Sequence, residues 1–226
     1  WVFASAGALG GGDATSLAAL VDASDRHALT VCRSLGDGVL RSLPPLARSL
    51  AGQTTSRVRT RAALDQALTL VYRILFLLFA EARGLVPVWN DLYREAYTID
   101  ALVHRAARGC TPGLWKALQA ISRLAHSGCH AGELTVTAFN GRLFSPRFTP
   151  LVERSRVPDA VARDLLLALA TESTRAGQRR ISYFDLGVEQ LGSVYERVLE
   201  YQPARRGNGV VLERTSTERK VTGSFY

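Results

Sequence analysis

The chain has 226 residues, 47% of them hydrophobic, which is enough to bury a substantial core in one large domain or two small ones. Its formal net charge is +8, and arginine supplies almost all of the positive charge, because Lys116 and Lys220 are the only lysines. Three cysteines, an odd number, argue against a disulfide-stapled secreted domain. The charge favours a polyanionic partner, with a solvated arginine-rich surface as the alternative; a membrane surface fits less well, because the charge is spread along the chain.

The ends of the chain and its most apolar run bear on its origin and location. Trp1 is the first residue and no methionine occurs, so we expect an internal piece of a longer protein, with further motifs outside these residues. The run from Leu68 to Ala80 is short for a bilayer span and contains Arg73. No signal peptide is recognisable. The sequence therefore predicts a cytoplasmic protein with no membrane association.

Helical periodicity dominates the first half of the chain. Apolar residues recur at three- and four-residue steps from about Ser16 to Leu50. The pair Pro44-Pro45 is expected to break or bend this helix and leave a short helix after it. A second and stronger pattern predicts a helix from Arg57 to Arg83, ended by the glycine and proline that follow. Its second half has few polar residues, which predicts a position at the centre of the core.

Two further helices and an irregular region are predicted next. The helices cover Asp100–Arg108 and Pro112–His126, and the second has Thr111 as its N-cap with Pro112 at the first helical position. Residues Gly128–Arg156 are rich in glycine, proline and scattered aromatics, which predicts irregular structure with a turn at Phe139-Asn140-Gly141.

The last third of the chain alternates helix and turn signals. A helix is predicted from Pro158 to about Thr174, a basic turn at Gln178–Arg180, and a last helix over Val188–Tyr201. The tail alternates weakly from Gly209 through Val211 to Val221, which predicts a small β-hairpin around residues 215–217. The predicted fold is mainly α: an irregular multi-helix bundle with a small C-terminal β-hairpin. We divide it into a helical lead-in (1–56), a helical domain (57–203), and a linker and hairpin (204–226).

Four segments, in order, resemble those of one enzyme family. Residues 72–87, YRILFLLFAEARGLVP, resemble the Y-R-hydrophobic-AE-x-R-G-L-hydrophobic-P helix of large Type II restriction–modification enzymes that join nuclease and methyltransferase, and of related phage-defence adenine methyltransferases. Residues 139–144, FNGRLF, resemble the Y/F-N-G-G-L-F loop of that family, with Arg142 in place of the second glycine. Residues 191–201, LGSVYERVLEY, resemble its LG-x-hydrophobic-YE-x-LLE-Y helix, and residues 219–226, RKVTGSFY, resemble RK-x-TG-S-Y-Y.

In that family this region is a helical connector between an optional nuclease domain and the methyltransferase domain. The resemblance implies that the chain packs against a downstream methyltransferase domain of the same protein and helps to form the groove that holds double-stranded DNA. It also implies that the parent protein uses S-adenosylmethionine. The final segment would contribute to the cofactor pocket through Thr222, Gly223, Ser224, Phe225 and Tyr226.

The catalytic motifs of such an enzyme do not occur in these residues. A flipped adenine is held by an Asn/Asp-Pro-Pro-aromatic loop, and the only Pro-Pro pair here follows Leu43. The cofactor needs a glycine-rich turn between a strand and a helix; Gly10–Gly12 and Gly207–Gly209 lack that context and are interpreted as flexible linkers. No carboxylate and lysine arrangement for a metal-dependent nuclease is recognisable. We expect the chain to be catalytically inert by itself and to bind no cofactor alone.

Basic clusters are the candidates for contact with DNA phosphates, and a solvated surface is the alternative for each. The favoured candidates are Arg179, Arg180, Arg205, Arg206, Arg219 and Lys220, and a less favoured cluster is Arg57, Arg59 and Arg61. Four residues in the middle of the chain have side chains that can bind zinc, but they lack the paired two-residue spacing of structural zinc sites, so no metal is expected. Those residues are Cys110, His126, Cys129 and His130.

The sequence thus predicts a fragment of an adenine-specific DNA methyltransferase of a restriction–modification or phage-defence system, serving as helical connector and DNA-groove scaffold. The alternative is a freestanding helical nucleic-acid-binding or scaffold domain without catalysis. The residues encoded after Tyr226 would distinguish the two.

Overall fold

A computed structural model describes residues 17–52, 56–139, 141–174, 177–206 and 209–214. Within them the fold is mainly α with small antiparallel strand pairs, which confirms the predicted fold class. The helices are α1 (Leu17–Ala51), α2 (Arg57–Ala82), α3 (Asp91–Ala96), α4 (Ile99–Ala107), α5 (Leu114–Ser127), α6 (Pro150–Arg154), α7 (Asp159–Ala170) and α8 (Val188–Leu199). The strands are β1 (Cys129–Ala131), β2 (Leu134–Val136), β3 (Thr171–Thr174), β4 (Gly177–Arg180), β5 (Tyr201–Arg206) and β6 (Gly209–Arg214).

One hydrophobic core joins the long N-terminal helix to the rest of the bundle. In α1 the buried residues Leu35, Val39, Leu43 and Leu46 follow helical spacing and face α2, α7 and α8. The same core includes buried residues from every helix except α3. Helix α1 is therefore part of the same packed structure as the helices that follow it.

The predicted separate short helix after Pro44-Pro45 is wrong, because α1 continues through both prolines as one helix of 35 residues. Two prolines remove two helical hydrogen bonds, and an interior proline costs about 3 kcal/mol. The neighbouring side chains Leu43, Leu46 and Leu50 are each at most 1% exposed. Burial of a leucine stabilises by roughly 1.5–3 kcal/mol, so packing on both sides of the prolines outweighs the local cost.

Helix α2 is confirmed where the sequence predicted it. Its end has Gly84 in the left-handed region (φ 64°), and the N–H of Leu85 donates to the carbonyl of Ala80 at 2.8 Å. Among the described residues, α2 is the single helix long and apolar enough to cross a membrane by length and composition, with a mean hydropathy of 1.6 over its most apolar window. Helix α2 is therefore longer than the apolar run Leu68–Ala80 that it contains. Of its most apolar 18-residue window, 56% is buried inside the protein.

Helix α5 begins differently from the prediction. The residue before it is Gly113 (φ 79°), rather than Thr111, and Pro112 precedes the helix. The cap comes from a distant part of the chain: the Asp159 carboxylate accepts hydrogen bonds from the N–H groups of Gly113 and Trp115, each at 2.8 Å. A carboxylate at a helix N-terminus satisfies unpaired N–H groups and complements the helix dipole. Local sequence cannot reveal such a cap.

The predicted irregular region contains regular structure. Strands β1 and β2 form a short hairpin with Cys129 opposite Val136, and the buried Leu134 and Val136 pack against the end of α2 and the loop after it. A 3-10 helix (Pro146–Phe148) leads into α6. The prediction of a wholly irregular segment over 128–156 is therefore wrong.

The structure also changes the description of the region after α7. This helix ends at Ala170, and the next residues form β3, which pairs with β4. The predicted helix is confirmed over Asp159–Ala170, but its predicted end at about Thr174 is wrong, because residues 171–174 form β3. The predicted basic turn at Gln178–Arg180 is also wrong, because these residues belong to β4. The N–H of Ile181 donates to the carbonyl of Ala170 at 3.0 Å and closes the base of the β3–β4 hairpin.

The structure contains a C-terminal hairpin of β5 and β6, and β6 begins at Gly209, where the sequence predicted the first strand. Strands β5 and β6 pair in a register that sets Tyr201 opposite Arg214 and Arg206 opposite Gly209. Residues 201–206 are therefore strand rather than the end of a helix and a linker. The turn predicted at 215–217 lies outside the described residues.

Candidate nucleic-acid interface

A completely buried arginine organises the loop between β2 and α6. Arg73 on α2 is 0% exposed, yet it lies in the most apolar part of the chain. Its Nε donates to the carbonyl of Leu143 at 2.6 Å, and its Nη2 donates to the Thr149 hydroxyl at 2.7 Å and the Ser145 carbonyl at 3.2 Å. The Glu153 carboxylate lies 3.9 Å from Nη1. Burial lowers the pKa of Arg73, and the Glu153 charge opposes that effect.

Aromatic contacts fix the same loop from the other side. The ring of Phe76, one turn after Arg73, meets Phe139 edge-on at a centroid distance of 5.2 Å and Phe144 at 5.5 Å. Edge-to-face pairs at such distances stabilise beyond simple burial. Tyr72 lies against Tyr195 of α8, with ring centroids 4.8 Å apart. The middle of α2 therefore holds both the loop and α8.

The exposed surface of this loop, and of α6 and the residues directly after it, is basic. Residues 141–156, which we call the basic loop, contain four arginines and a single acidic residue, Glu153. All four arginines are exposed, and none takes part in the ion pairs found among the described residues; they are Arg142, Arg147, Arg154 and Arg156. Glu153 is instead engaged by Arg73 and by Arg123, whose Nε lies 2.8 Å from its carboxylate.

The favoured arginine pair of the sequence prediction is neutralised. Arg179 donates to the Glu172 carboxylate through Nε at 2.8 Å and Nη2 at 2.5 Å, and the Glu172 side chain is only 6% exposed. Arg180 forms an ion pair with Asp100 of α4. Both arginines thus fasten the β3–β4 hairpin, and each positive charge has a carboxylate beside it.

The remaining predicted residues belong to β5 or follow β6 in the sequence. Arg205 and Arg206 lie at the end of β5, opposite Val210 and Gly209. Outside the described residues lie Arg219, Lys220, Thr222, Gly223, Ser224, Phe225 and Tyr226.

The less favoured cluster lies in the first turns of α2. Arg59 donates to the carbonyl of Ala51 at 3.0 Å, and Arg61 lies 3.7 Å from the carboxylate of Asp65. These two side chains therefore have partners within the protein, whereas Arg57 is exposed.

A small cavity lies where α2, α4 and β4 meet. It has a volume of about 250 Å³ and is lined by Glu81, Asp100, Arg180 and Tyr183, among others. The Glu81 carboxylate accepts hydrogen bonds from the N–H groups of Ile99, at 2.6 Å, and Asp100, at 3.0 Å, at the start of α4. Burial raises the pKa of Glu81 to about 7, against the lowering effect of these hydrogen bonds. The group can exchange a proton near neutral pH, but its contacts are those of a helix cap.

The four residues weighed as zinc ligands have different surroundings. Cys110 is exposed and Cys129 is partly buried. The Nδ1 of His130 lies 2.9 Å from the Thr135 hydroxyl. In the part of the chain that the structure describes, no three His, Cys, Asp or Glu side chains are grouped so that they could hold a metal ion.

Comparison with models of protein families, with curated proteins and with solved structures found no match for this chain. The sequence analysis did not single out the basic loop, because its four arginines are spread over 15 residues rather than adjacent to one another. One signal was available: Arg73 interrupts an apolar helix, and a buried arginine requires several acceptors elsewhere in the chain.

Proposed function

We propose that this chain is the helical connector of an adenine-specific DNA methyltransferase of a restriction–modification or phage-defence system. The chain serves as a scaffold that holds double-stranded DNA for a methyltransferase domain encoded after it. The parent protein transfers a methyl group from S-adenosylmethionine to adenine. The residues from Thr222 to Tyr226 contribute to the cofactor pocket of that parent protein, as the resemblance implies.

One observation carries the proposal: in the structure, the first segment that resembles the family, residues 72–87, contacts both the second segment (139–144) and the third (191–201). Tyr72 lies against Tyr195, Arg73 donates to the carbonyl of Leu143, and Phe76 packs on Phe139. These contacts support the resemblance, because the quoted residues are those that join the segments into one unit.

The charge of the chain supports a polyanionic partner. A net charge of +8 attracts DNA, and exposed arginines make bidentate contacts with phosphate oxygens. Such contacts position a duplex without reading its sequence. Base-specific contacts and methyl transfer then belong to other parts of the parent protein.

The reading frame that follows Tyr226 tests the methyltransferase assignment. The proposal expects Thr-Pro directly after the chain, then a glycine-rich turn that follows a strand and precedes a helix, and later an Asn-Pro-Pro-aromatic loop. The protein produced from that frame should transfer labelled methyl groups from S-adenosylmethionine to adenine in duplex DNA. A stop codon after Tyr226, or a frame without these motifs, would favour a binding or scaffold domain without catalysis.

A further inference from the structure

The basic loop differs from the other arginine-rich parts of the described chain in its charge balance. The segment has four arginines and a single carboxylate, Glu153. The Glu153 side chain is only 14% exposed, so most of it is not at the surface. By contrast, Arg179 and Arg180 each have their own carboxylate partner. A polyanion approaching the basic loop would therefore meet cations that form no ion pair with a carboxylate of the described part of the chain.

The loop is also held in place before any partner arrives. The buried Arg73 side chain donates hydrogen bonds to Leu143, Ser145 and Thr149 of the loop. The Gln66 side chain accepts a hydrogen bond from the N–H of Leu151 at 2.7 Å. A fixed backbone lowers the entropy lost when its side chains bind a ligand. The residues that anchor the backbone and the exposed arginines alternate within the same segment, 141–156.

The single exposed aromatic residue of the loop indicates how it would contact a nucleic acid. Phe148 is 49% exposed, but the Arg142 guanidinium lies over its ring at 4.4 Å. A covered ring face is less available for stacking with an unpaired base, the usual mode of single-strand binding. The ring instead supports a guanidinium, whose outer N–H groups can reach phosphate oxygens.

A membrane surface fits the loop less well than a duplex. Interfacial segments bind through an amphipathic helix with a wide apolar face. Here α6 has only five residues, and its central Val152 is fully buried in the protein. The exposed surface of the loop is dominated by cations.

We propose that the basic loop, through Arg142, Arg147, Arg154 and Arg156, is the surface of this chain that contacts the phosphate backbone of duplex DNA. Arg179 and Arg180, which the sequence favoured, each lie beside a carboxylate. This inference rests on the proposed function, in that it names the surface through which the scaffold holds its substrate.

The test compares paired variants of the chain in fluorescence anisotropy with a labelled duplex of mixed sequence, about 30 base pairs long, over salt concentrations from about 50 to 300 mM. The basic-loop variants are Arg142→Gln/Arg147→Gln and Arg154→Gln/Arg156→Gln. The control, Arg94→Gln/Arg163→Gln, removes the same charge from exposed arginines that lie 2.5 Å and 3.8 Å from a carboxylate on their own helix. Circular dichroism must show that all variants are as folded as the unmutated chain.

Each phosphate contact contributes about 0.9 to the slope of log K against log [salt]. Each basic-loop pair should therefore make the slope shallower by about 2 and weaken binding by about tenfold or more near 0.1 M salt, while the control changes affinity by less than about twofold. Unlabelled duplex should compete better than a single strand of the same length or phosphatidylserine vesicles.

The outcomes separate this inference from the proposed function. If the unmutated chain binds duplex DNA and both loop variants bind it as tightly, the basic loop is not the DNA-contacting surface, while the scaffold role stands. Stronger competition by the single strand or by vesicles would overturn the duplex assignment. If the unmutated chain binds no duplex DNA even at about 50 mM salt, the scaffold role fails as well.

Discussion

Replacement of Arg73 by methionine tests whether the buried guanidinium holds the basic loop. Methionine fills a similar volume but donates no hydrogen bonds, so the Leu143 carbonyl, the Ser145 carbonyl and the Thr149 hydroxyl all lose a donor. A buried polar group left without its partner costs about 1–3 kcal/mol. Glu153 keeps Arg123 as a counter-charge at 2.8 Å, so loss of the weaker contact to Arg73 adds little.

The expected loss is about 3–5 kcal/mol in the free energy of unfolding, a large share of the 5–15 kcal/mol typical of a folded protein. Urea unfolding followed by far-ultraviolet circular dichroism measures it. The control is Arg61→Met, on the same helix, where the arginine is 64% exposed and pairs with Asp65 at 3.7 Å. That change should alter stability by less than about 0.5 kcal/mol. A loss below about 1 kcal/mol for Arg73→Met would refute the assigned role of the guanidinium.

Two other carboxylates give further predictions. Asp159→Ala removes the cap of α5 and should destabilise the fold by about 1 kcal/mol in urea unfolding, with Asp159→Asn recovering part of the loss; equal stability of the alanine variant would contradict the cap. The pKa of Glu81 is raised from 4.5 to about 7, so its contribution to stability is fully present below about pH 4.5 and is lost as the pH rises through about 7. Over that window stability should fall by about 3 kcal/mol, and Glu81→Gln should flatten the decline; an unchanged pH profile would show that Glu81 does not cause it.

Much of the helical framework could be predicted because its signals are local. Helix α2 has an unbroken apolar period and a stop signal at Gly84, and both act within a few residues. The errors arose where distant contacts decide the structure. Packing on α2 and α7 carries α1 through Pro44-Pro45, and Asp159 caps α5 from 46 residues away.

The candidate interface was predictable only in kind. Composition indicated a basic surface for a polyanion, yet neighbouring arginines in the sequence, such as Arg179 and Arg180, turned out to have acidic partners from β3 and α4. Charge runs do not show which cations are neutralised, because the partner residues are distant in the chain. The structure adds the contacts of Arg73 with Leu143, Thr149 and Glu153, which fix this segment against one buried side chain.

The most direct test of the duplex-holding role is hydrogen exchange of the chain's backbone amides, with and without duplex DNA at low salt. The account predicts slower exchange in the basic loop, residues 141–156, when the duplex is bound. Exchange there that is unchanged by DNA, with protection confined to β3 and β4, would contradict it.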